Sequence, residues 1–386
     1  MHAAQPTKRL VVVLGMHRSG TSLLTRALAV LGVSLGDRLM PAAEENPKGF
    51  WEDLDINALN IAILEALGHS WHSLAPTLPG EVAEPLLADF KRRALAILRD
   101  RLSDTDCFGL KDPRMSRLLP FWQDVFSELK IKVSYVVVCR NPVSVARSLA
   151  KRNGFDQEKS YHLWLGHMIE ILARTQNCHR VVVDYDLFLA DPAGQLQRIA
   201  QGLGLEFLPG CTEVSEFTTS FLESSLRHHH YRLQDFLSDQ ALPPQVTTLY
   251  QLLLKLASYV PDWGDGEIAA VVDHIRNHYE ESYPTLRYLQ FCEQKAVNLT
   301  RQVAEQNHQI TGLNYQVIDL TRSLAASEAA ITVLRSEVAQ LTSQLTNIYT
   351  SRFWKIGRLF GRMLLPLKRY FLPAAPSRTD PASDSE

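Results

Sequence analysis

Four short apolar runs rich in branched residues are spaced along the first half of the chain. They lie at Leu10–Leu14, Phe108–Leu110, Val133–Val138 and Val181–Val183. Continuous apolar runs of this length are typical of strands that are buried on both faces. Between the first two runs, apolar residues recur at helical spacing at Leu24, Ala27, Leu28 and Leu31. Gly32 follows as a C-terminal cap, so the alternation predicts an α/β fold with a parallel sheet flanked by helices.

A heptad repeat begins after about residue 290 and runs to about residue 350. Twelve of its fourteen a and d positions are aliphatic, and the other two are Gln306 and Ser327. The aliphatic positions are Val303, Ile310, Leu313, Val317, Leu320, Leu324, Ile331, Leu334, Val338, Leu341, Leu345 and Ile348. Branched residues at a with leucine at d favour a coiled coil of two parallel helices, so the repeat predicts a coiled-coil homodimer over residues 291–350. The alternative interpretation is one long helix packed back on the globular part.

The segment after the repeat combines basic and apolar residues at helical spacing. Over residues 351–372 it contains no acidic residue, and Phe353, Ile356, Phe360, Met363 and Leu367 fall on one helical face. This pattern predicts a basic amphipathic helix on an anionic membrane surface, with a helix that docks on a partner protein as the alternative. Residues 373–386 are rich in Pro, Ser and Asp and are predicted to be a disordered tail.

Composition and charge narrow the classes of function. The 386 residues carry a formal net charge of -2, which argues against a nucleic-acid binder that neutralises phosphates across a whole face. The five cysteines form no CxxC pair, which indicates a reducing compartment and no structural metal. The first apolar run leads directly into a glycine loop, as a strand does and a signal peptide does not. We therefore expect a cytoplasmic protein, peripheral on the inner face of the membrane.

The first strand is followed by a glycine loop and a helix, in the sequence VVVLGMHRSGTSLLTRAL. Gly15 and Gly20 allow a tight turn whose N–H groups, together with the helix N-terminus, can converge on a phosphate. A Walker-type loop would have lysine where Thr21 stands. Here Arg18 supplies the charge, which suits a donor with one 5′-phosphate and one further anionic group.

Three motifs resemble those of sulfotransferases. RSGTS after a strand resembles their 5′-phosphosulfate loop, and CRNPVSVARSL after SYVVV resembles their 3′-phosphate segment. GLKDPRMSRLLPFW is similar to the lysine strand of tyrosylprotein and related bacterial sulfotransferases. The resemblance covers about residues 8–290. It implies a P-loop-type sulfotransferase fold, followed by the C-terminal coiled-coil helix.

The resemblance also implies the donor and the residues that hold it. The family's donor is 3′-phosphoadenosine 5′-phosphosulfate (PAPS). Its 5′-phosphate would be held by Arg18, Ser19, Gly20, Thr21 and Ser22. Its 3′-phosphate would be held by Arg140 and Ser148, for which a surface salt bridge and a routine helix serine are the alternatives. Arg227 matches a late arginine loop that closes over the nucleotide in many sulfotransferases.

Sulfuryl transfer needs a cation at the oxygen that bridges sulfur and phosphorus, and a base for the acceptor hydroxyl. Lys111, with Arg18, is the candidate cation, because Lys111 matches the family's KDP element; an ion pair with Asp112 is the alternative. Glu52, beside Phe50 and Trp51, is the candidate base. Asp53 and Asp55 are its rivals, although either could instead cap a helix. No divalent metal is expected, because no carboxylates cluster with metal-ligand spacing.

The expected reaction is transfer of sulfate to a carbohydrate hydroxyl in a cell-envelope glycan or glycolipid. The coil and basic segment resemble C-terminal extensions on bacterial surface-polysaccharide enzymes, which motivates this acceptor. A P-loop phosphotransferase is a second interpretation, and the missing Walker lysine argues against it. A third is a catalytically inactive coiled-coil scaffold, but Arg18, Lys111 and Arg140 are all present.

Overall fold

A computed structural model of the chain describes residues 8–43, 46, 48–77, 83–209, 211–222, 242–258 and 266–368. Within these residues the strands are β1 (Arg9–Leu14), β2 (Cys107–Lys111), β3 (Lys132–Cys139) and β4 (Arg180–Asp184). They are parallel and hydrogen-bonded in the order β2-β1-β3-β4. Each predicted apolar run lies inside one strand, which confirms the predicted parallel sheet.

Helices connect the strands and continue past the last one. In the described residues they are α1 (Thr21–Val30), α2 (Leu54–Ala66), α3 (Glu84–Arg101), α4 (Leu119–Leu129), α5 (Pro142–Asn153), α6 (Gln157–Arg174), α7 (Tyr185–Ala190), α8 (Pro192–Leu203), α9 (Thr212–Glu216), α10 (Pro244–Ser258), α11 (Gly266–Glu281), α12 (Tyr283–Thr350) and α13 (Arg352–Lys368). A 3-10 turn follows β2 at Pro113–Ser116, and a π-turn follows α9 at Phe217–Phe221. Gly32 has a φ of 78° just after α1, as a C-terminal cap requires.

The sheet has a hydrophobic core on each face. Along β1, Leu10, Val12 and Leu14 belong to one core. Val11 and Val13 belong to the other. The alternation follows from the two-residue period of a strand, and helices cover both faces because both are apolar.

The carboxyl ends of the strands form the edge that positions the site. In the ladders, Val13 pairs with Lys111, and Leu14 pairs with Val137. At the far side of the sheet, Cys139 pairs with Asp184. The chain crosses from one side of β1 to the other between β2 and β3, so a topological switch point lies at β1. Ligands of open α/β sheets bind at such a point, beyond the carboxyl ends of the strands.

The chain divides into two compact units, Met1–Lys295 and Ala296–Glu386. Helix α12 is uninterrupted and begins at Tyr283, eight residues before the predicted coil, because Pro284 is tolerated in a first helical turn. The aliphatic side chains at a and d of the repeat are between 47% (Ile331) and 69% (Leu320) exposed. The long helix is confirmed, whereas its pairing with a second chain and the bounds of the four predicted segments stay predictions. No helix in the described part of the chain is long and apolar enough to cross a bilayer.

Candidate functional site

The loop between β1 and α1 turns tightly before the helix begins at Thr21. Arg18 and Gly20 both have left-handed backbone, with φ of 69° and 90°. A Cβ atom on Gly20 would lie 2.2 Å from Cδ2 of Tyr185, so a larger residue would displace the ring. The N-terminus of α1, without an acidic residue in its first turn, favours a bound anion at the loop.

Three of the residues predicted to bind the sulfuryl donor lie together at one side of this loop. Nε of Arg18 donates to Oγ of Ser148, 2.8 Å away. Nη1 of Arg140 donates to the carbonyl oxygen of Arg18, 3.2 Å away. Ser19 follows Arg18 in the loop and is fully buried. Its hydroxyl has no hydrogen-bond partner among the described residues.

Arg140 is held in place by its surroundings. Its Cζ lies 4.4 Å from the ring centroid of Tyr185, and its carbonyl oxygen accepts a hydrogen bond of 3.2 Å from Nε1 of Trp164. Nε of Arg140 is buried and has no hydrogen-bond partner in the part of the chain that the structure describes. The guanidinium is therefore positioned by packing and keeps a donor available.

Lys111 and Glu52 form a buried ion pair beside the loop. Nζ of Lys111 lies 2.6 Å from Oε1 of Glu52, and the two residues are 3% and 5% exposed. Nζ also donates to Oγ of Ser22 at 3.2 Å and to the carbonyl oxygen of Phe50 at 3.0 Å. The contact with Ser22 ties the end of β2 to the first turn of α1. The candidate cation and the candidate base thus lie together at the phosphate loop.

The second oxygen of Glu52 is fixed from the other side. Oε2 accepts a hydrogen bond of 2.8 Å from Nδ2 of Asn57 and lies 3.5 Å from Nη1 of Arg114. Asp112 accepts from Arg114 at 3.0 Å and from Asn60 at 3.0 Å. The negative partner of Lys111 is therefore Glu52, while Asp112 pairs with Arg114. Arg114 is three residues from Lys111 in the KDPR element, the signal by which it could have been predicted.

Asp53 and Asp55, the rivals of Glu52, have structural roles. Asp53 caps α2, accepting from the N–H groups of Asp55 and Ile56 at 2.9 and 3.1 Å. Arg101 lies 2.6 Å from Asp53 and 2.5 Å from Asp55. Hydrogen bonding to Arg38 lowers the pKa of Asp55 below its usual value. Both carboxylates therefore bind the first turn of α2 or nearby arginines. Glu52 is the carboxylate of this segment that faces the site.

A cavity of about 1040 Å³ contains these groups. The predicted residues on its wall are Arg18, Gly20, Thr21, Ser22, Glu52, Lys111 and Arg140. Ser19 and Ser148 are not part of the wall, and Ser148 meets it through Arg18. A cavity of this size holds a nucleotide-sized ligand together with a second substrate.

His17 is a wall residue that the sequence does not single out. It is buried, and its Nε2 has no hydrogen-bond partner among the described residues. Burial, reinforced by the positive charge of Arg114, lowers the pKa of His17 well below 6.5. The ring is therefore neutral at neutral pH. Its position inside the glycine loop was the available signal, but the loop pattern assigns no role to that position.

The predicted site also includes Arg227, which lies outside the described residues. Among the residues that are described, no group of three or more His, Cys, Asp or Glu side chains could hold a metal ion.

Comparison with known proteins gives a family and several distant structural neighbours. A family model described as the sulfotransferase family matches residues 11–209, more than half of the chain. The sulfotransferase domain of the olefin synthase of Synechococcus PCC 7002 is 16% identical, covering 72% of this chain and 98% of that one, with a TM-score of 0.34. A sulfotransferase from Mycobacterium tuberculosis is 18% identical, covering 64% and 76%, with a TM-score of 0.31.

A structure of retinol dehydratase with retinol and PAP is 13% identical, covering 72% of this chain and 80% of that one, with a TM-score of 0.28. No curated protein matches the chain. At such TM-scores the solved structures add no weight, and the family is shown by the matching family model, which spans the loop, the ion pair and Arg140. The chain belongs to the sulfotransferase family and is a sulfotransferase enzyme.

Proposed function

We propose that the enzyme transfers the sulfuryl group of PAPS to a hydroxyl of a carbohydrate, in a cell-envelope glycan or glycolipid. The observation that carries the proposal is the pair of Lys111 and Glu52 at 2.6 Å, beside the phosphate loop and on the wall of one cavity. A cation for the leaving oxygen and a carboxylate for the incoming hydroxyl are the two groups that sulfuryl transfer needs at the reacting sulfur.

The residues present fit the proposed donor. The N-terminus of α1 would hold the 5′-phosphate, with Gly20, Thr21 and Ser22 on the cavity wall and Ser19, which lies off the wall, next to them in the loop. The buried, unmatched Nε of Arg140 would bind the 3′-phosphate. Ser148, which accepts from Arg18, would hold that guanidinium between the two phosphates. Binding of the 3′-phosphate would give a hydrogen-bond partner to the buried Nε of Arg140, which has none among the described residues.

The bound donor supplies a sulfuryl group attached to the oxygen that bridges sulfur and phosphorus. Lys111 would stabilise the negative charge that gathers on this oxygen as its bond to sulfur breaks. Glu52 would take the proton of the acceptor hydroxyl while the hydroxyl oxygen bonds to sulfur. Asn57 and Arg114 hold the carboxylate through its second oxygen, so the base is oriented before the acceptor enters.

The C-terminal unit supports the proposed acceptor and location. Its repeat would join two chains in a parallel coiled coil. Its last described helix, α13, carries Arg352, Lys355 and Arg358 beside exposed Phe353 and Phe360, and would place the enzyme on the anionic inner face of the membrane. A location on the membrane surface would suit an acceptor glycan that is built on a membrane-bound carrier.

The substitution Glu52→Gln tests the proposal. We expect transfer of labelled sulfate from PAPS to a panel of bacterial capsular polysaccharides to fall by roughly 10²–10⁴-fold, because the proton acceptor is lost. Binding of adenosine 3′,5′-bisphosphate should change less than about twofold, since the donor contacts remain. Asp55→Asn is the matched control: it removes a carboxylate that binds Arg38 and Arg101, and should retain transfer. Undiminished transfer by Glu52→Gln would remove Glu52 from the mechanism.

A further inference from the structure

The chain between α2 and α3 carries Trp71, a wall residue of the cavity to which the proposed reaction gives no role. The described part of this connection, residues 69–77, contains no helix or strand. Within it, the N–H of Ser70 donates to Oγ of Ser73 at 2.9 Å and closes a turn across Trp71. Because the segment lacks a hydrogen-bond ladder of its own, its shape depends on the elements that hold it.

Arg117 fixes one side of the segment to the end of β2. Its Nη1 donates to the carbonyl oxygen of Ser73 at 2.5 Å, and its Nη2 donates to that of Ala75. In return, Oγ1 of Thr77 donates to the carbonyl oxygen of Arg117 at 2.8 Å. Arg117 lies just past the 3-10 turn, six residues after Lys111. This side of the segment is therefore tied to the strand that carries the proposed catalytic lysine.

Gln290, near the start of α12, fixes the other side of the segment. Its Oε1 accepts a hydrogen bond of 2.9 Å from the N–H of Ala75. Its Nε2 lies 3.3 Å from Nδ1 of His69, which can accept from it. The amide group thus uses its acceptor and a donor on two points of one segment. These turns of α12 belong to the compact unit that contains the cavity, Met1–Lys295.

Glu293 links α12 to the aromatic residues around Trp71. It forms an ion pair with Lys159, at the start of α6. Nζ of Lys159 lies 4.3 Å from the ring centroid of Phe155, and that centroid lies 5.8 Å from the centroid of Trp71. Gln290 and Glu293 are three residues apart and so lie on one face of α12. That face therefore reaches Trp71 both along the segment of residues 69–77 and through Phe155.

Trp71 lies on the side of the cavity that holds the proposed base. Its ring centroid is 4.2 Å from that of His17, another wall residue. Burial lowers the pKa of His17, and the charge of Arg114 lowers it further, so Arg114 is within electrostatic reach of that ring. Nη1 of Arg114 in turn lies 3.5 Å from Oε2 of Glu52. An acceptor whose hydroxyl reaches Glu52 would thus have the indole beside it, a large and rigid apolar surface.

We propose that Gln290 and Glu293 are positioning residues of the acceptor site. Through residues 69–77 and through Phe155 they hold Trp71 where the C–H groups of the acceptor sugar pack against it. The first turns of the helix that carries the predicted coiled coil then belong to the acceptor site, whereas the donor site does not depend on them. The inference rests on the proposed function and deepens it, because it names the element that sets acceptor affinity.

Kinetics of the full chain test the inference, with PAPS and the capsular polysaccharide that the wild type sulfates fastest. We expect Gln290→Ala to raise KM for the polysaccharide about 5- to 10-fold and to change kcat less than about twofold, because only acceptor binding is weakened. Gln290→Glu keeps an oxygen that can accept from Ala75 and should raise KM less. Glu293→Gln, which loses the ion pair with Lys159, should also raise KM. Gln294→Ala is the matched control, at an exposed glutamine of the same helix, and should behave like wild type.

A double-mutant cycle tests whether Gln290 acts through Trp71. Trp71→Ala should raise KM for the polysaccharide at least as much as Gln290→Ala does. Addition of Gln290→Ala to Trp71→Ala should then raise KM by less than about twofold, because the indole that Gln290 positions is already absent. A residue that only stabilises the fold would have the same effect in both backgrounds. Binding of adenosine 3′,5′-bisphosphate should match that of wild type within about twofold in every variant.

An unchanged KM in Gln290→Ala would overturn the inference, as would an equal increase in Gln294→Ala. Independent effects of Trp71→Ala and Gln290→Ala, or weakened nucleotide binding by Gln290→Ala, would also overturn it. In all of these cases the wild type still transfers sulfate, so the proposed function stands. Failure of the wild type to sulfate any polysaccharide of the panel would instead overturn the proposed function, and the inference with it.

Discussion

Asp184, at the end of β4, is a buried carboxyl outside the reacting groups. It is 1% exposed, and its Oδ1 caps α7 by accepting from the N–H groups of Asp186 and Leu187 at 3.0 Å each. Its Oδ2 accepts from the hydroxyl of Tyr250 at 3.3 Å. Burial raises the pKa of Asp184 from 3.8 to about 6. The folded chain therefore holds a proton on this group at pH values where an unfolded chain releases it.

The stability that Asp184 contributes should fall as pH rises through this interval. Between about pH 3.8 and about pH 6 the folded state binds more protons than the unfolded state, so the free energy of unfolding decreases with pH. Asp184→Asn keeps an acceptor for the helix cap and removes the ionisation. In urea titrations, we expect the variant to gain roughly 2–3 kcal/mol relative to wild type across this interval and to gain no more above it.

Asp191→Asn is the control, because it removes a carboxylate at the exposed N-cap of α8. A difference between wild type and Asp184→Asn that is the same at every pH would contradict the shifted pKa of Asp184.

Individual site residues could be predicted from the sequence where a motif and a chemical need coincide. Lys111 and Glu52 were predictable one at a time, but their contact depends on how the segment before α2 folds against the end of β2. His17 and Asn57 carry no local pattern. Their roles arise from burial and from partners distant in the chain, which a single sequence does not encode in readable form.

Helix α13 combines exposed aromatic side chains with basic ones. Phe353 is 88% exposed and Phe360 63%, and Arg352, Lys355 and Arg358 are interleaved with them. Apolar and basic groups in one short helix favour insertion at an anionic interface, where the apolar face leaves water and the cations meet lipid phosphates.

Deletion of residues 351–386 should abolish sedimentation with vesicles of phosphatidylglycerol and phosphatidylcholine. The wild type should sediment with these vesicles in 0.1 M salt, and less in 0.5 M salt because the charge interaction is screened. Deletion of residues 373–386 alone, which leaves the basic segment in place, is the control and should sediment like wild type. Sedimentation that is unchanged without residues 351–386 would favour a helix that docks on a partner protein.

The elements themselves were largely predictable, because period and continuity of apolar residues are local properties. The runs at Leu10–Leu14 and Val133–Val138 lie within strands, and the heptad lies within α12. The strand order was not predictable, since it depends on which edges pair after the crossovers. That order places β2 and β3 on opposite sides of β1 and so brings Lys111 and Arg140 to opposite sides of one loop.

For the molecule as a whole, the exposed a and d residues of α12 are the basis for predicting a homodimer. The d residues Leu334 and Leu341 are 57% and 58% exposed, which is costly for leucine unless a second surface covers it. Branched residues at a and leucine at d favour a coiled coil of two parallel helices. A second copy of the chain, in register, would cover the whole seam.

Light scattering should give about twice the chain mass of 43.6 kDa. Leu334→Lys with Leu341→Lys should give the monomer mass, because charges would enter the seam, whereas Ser336→Lys with Ser343→Lys on the outer face should stay dimeric. For orientation, Gln306→Cys in a Cys292→Ser background should form an interchain disulfide on oxidation, since only parallel strands bring two residues at position 306 together. A monomeric wild type would contradict the coiled coil, and absence of the disulfide would contradict its parallel orientation.

We propose that the cavity at the carboxyl edge of the sheet binds a nucleotide with 3′- and 5′-phosphates. Calorimetry with adenosine 3′,5′-bisphosphate on wild type, Arg140→Ala and Arg147→Ala measures this binding. We expect the wild type to bind and Arg140→Ala to bind roughly 10- to 100-fold more weakly, because a charged hydrogen-bond donor to the 3′-phosphate is lost. Arg147→Ala, on an exposed position of α5 outside the cavity wall, should bind like wild type. No binding by the wild type, or equal binding by Arg140→Ala, would contradict the claim.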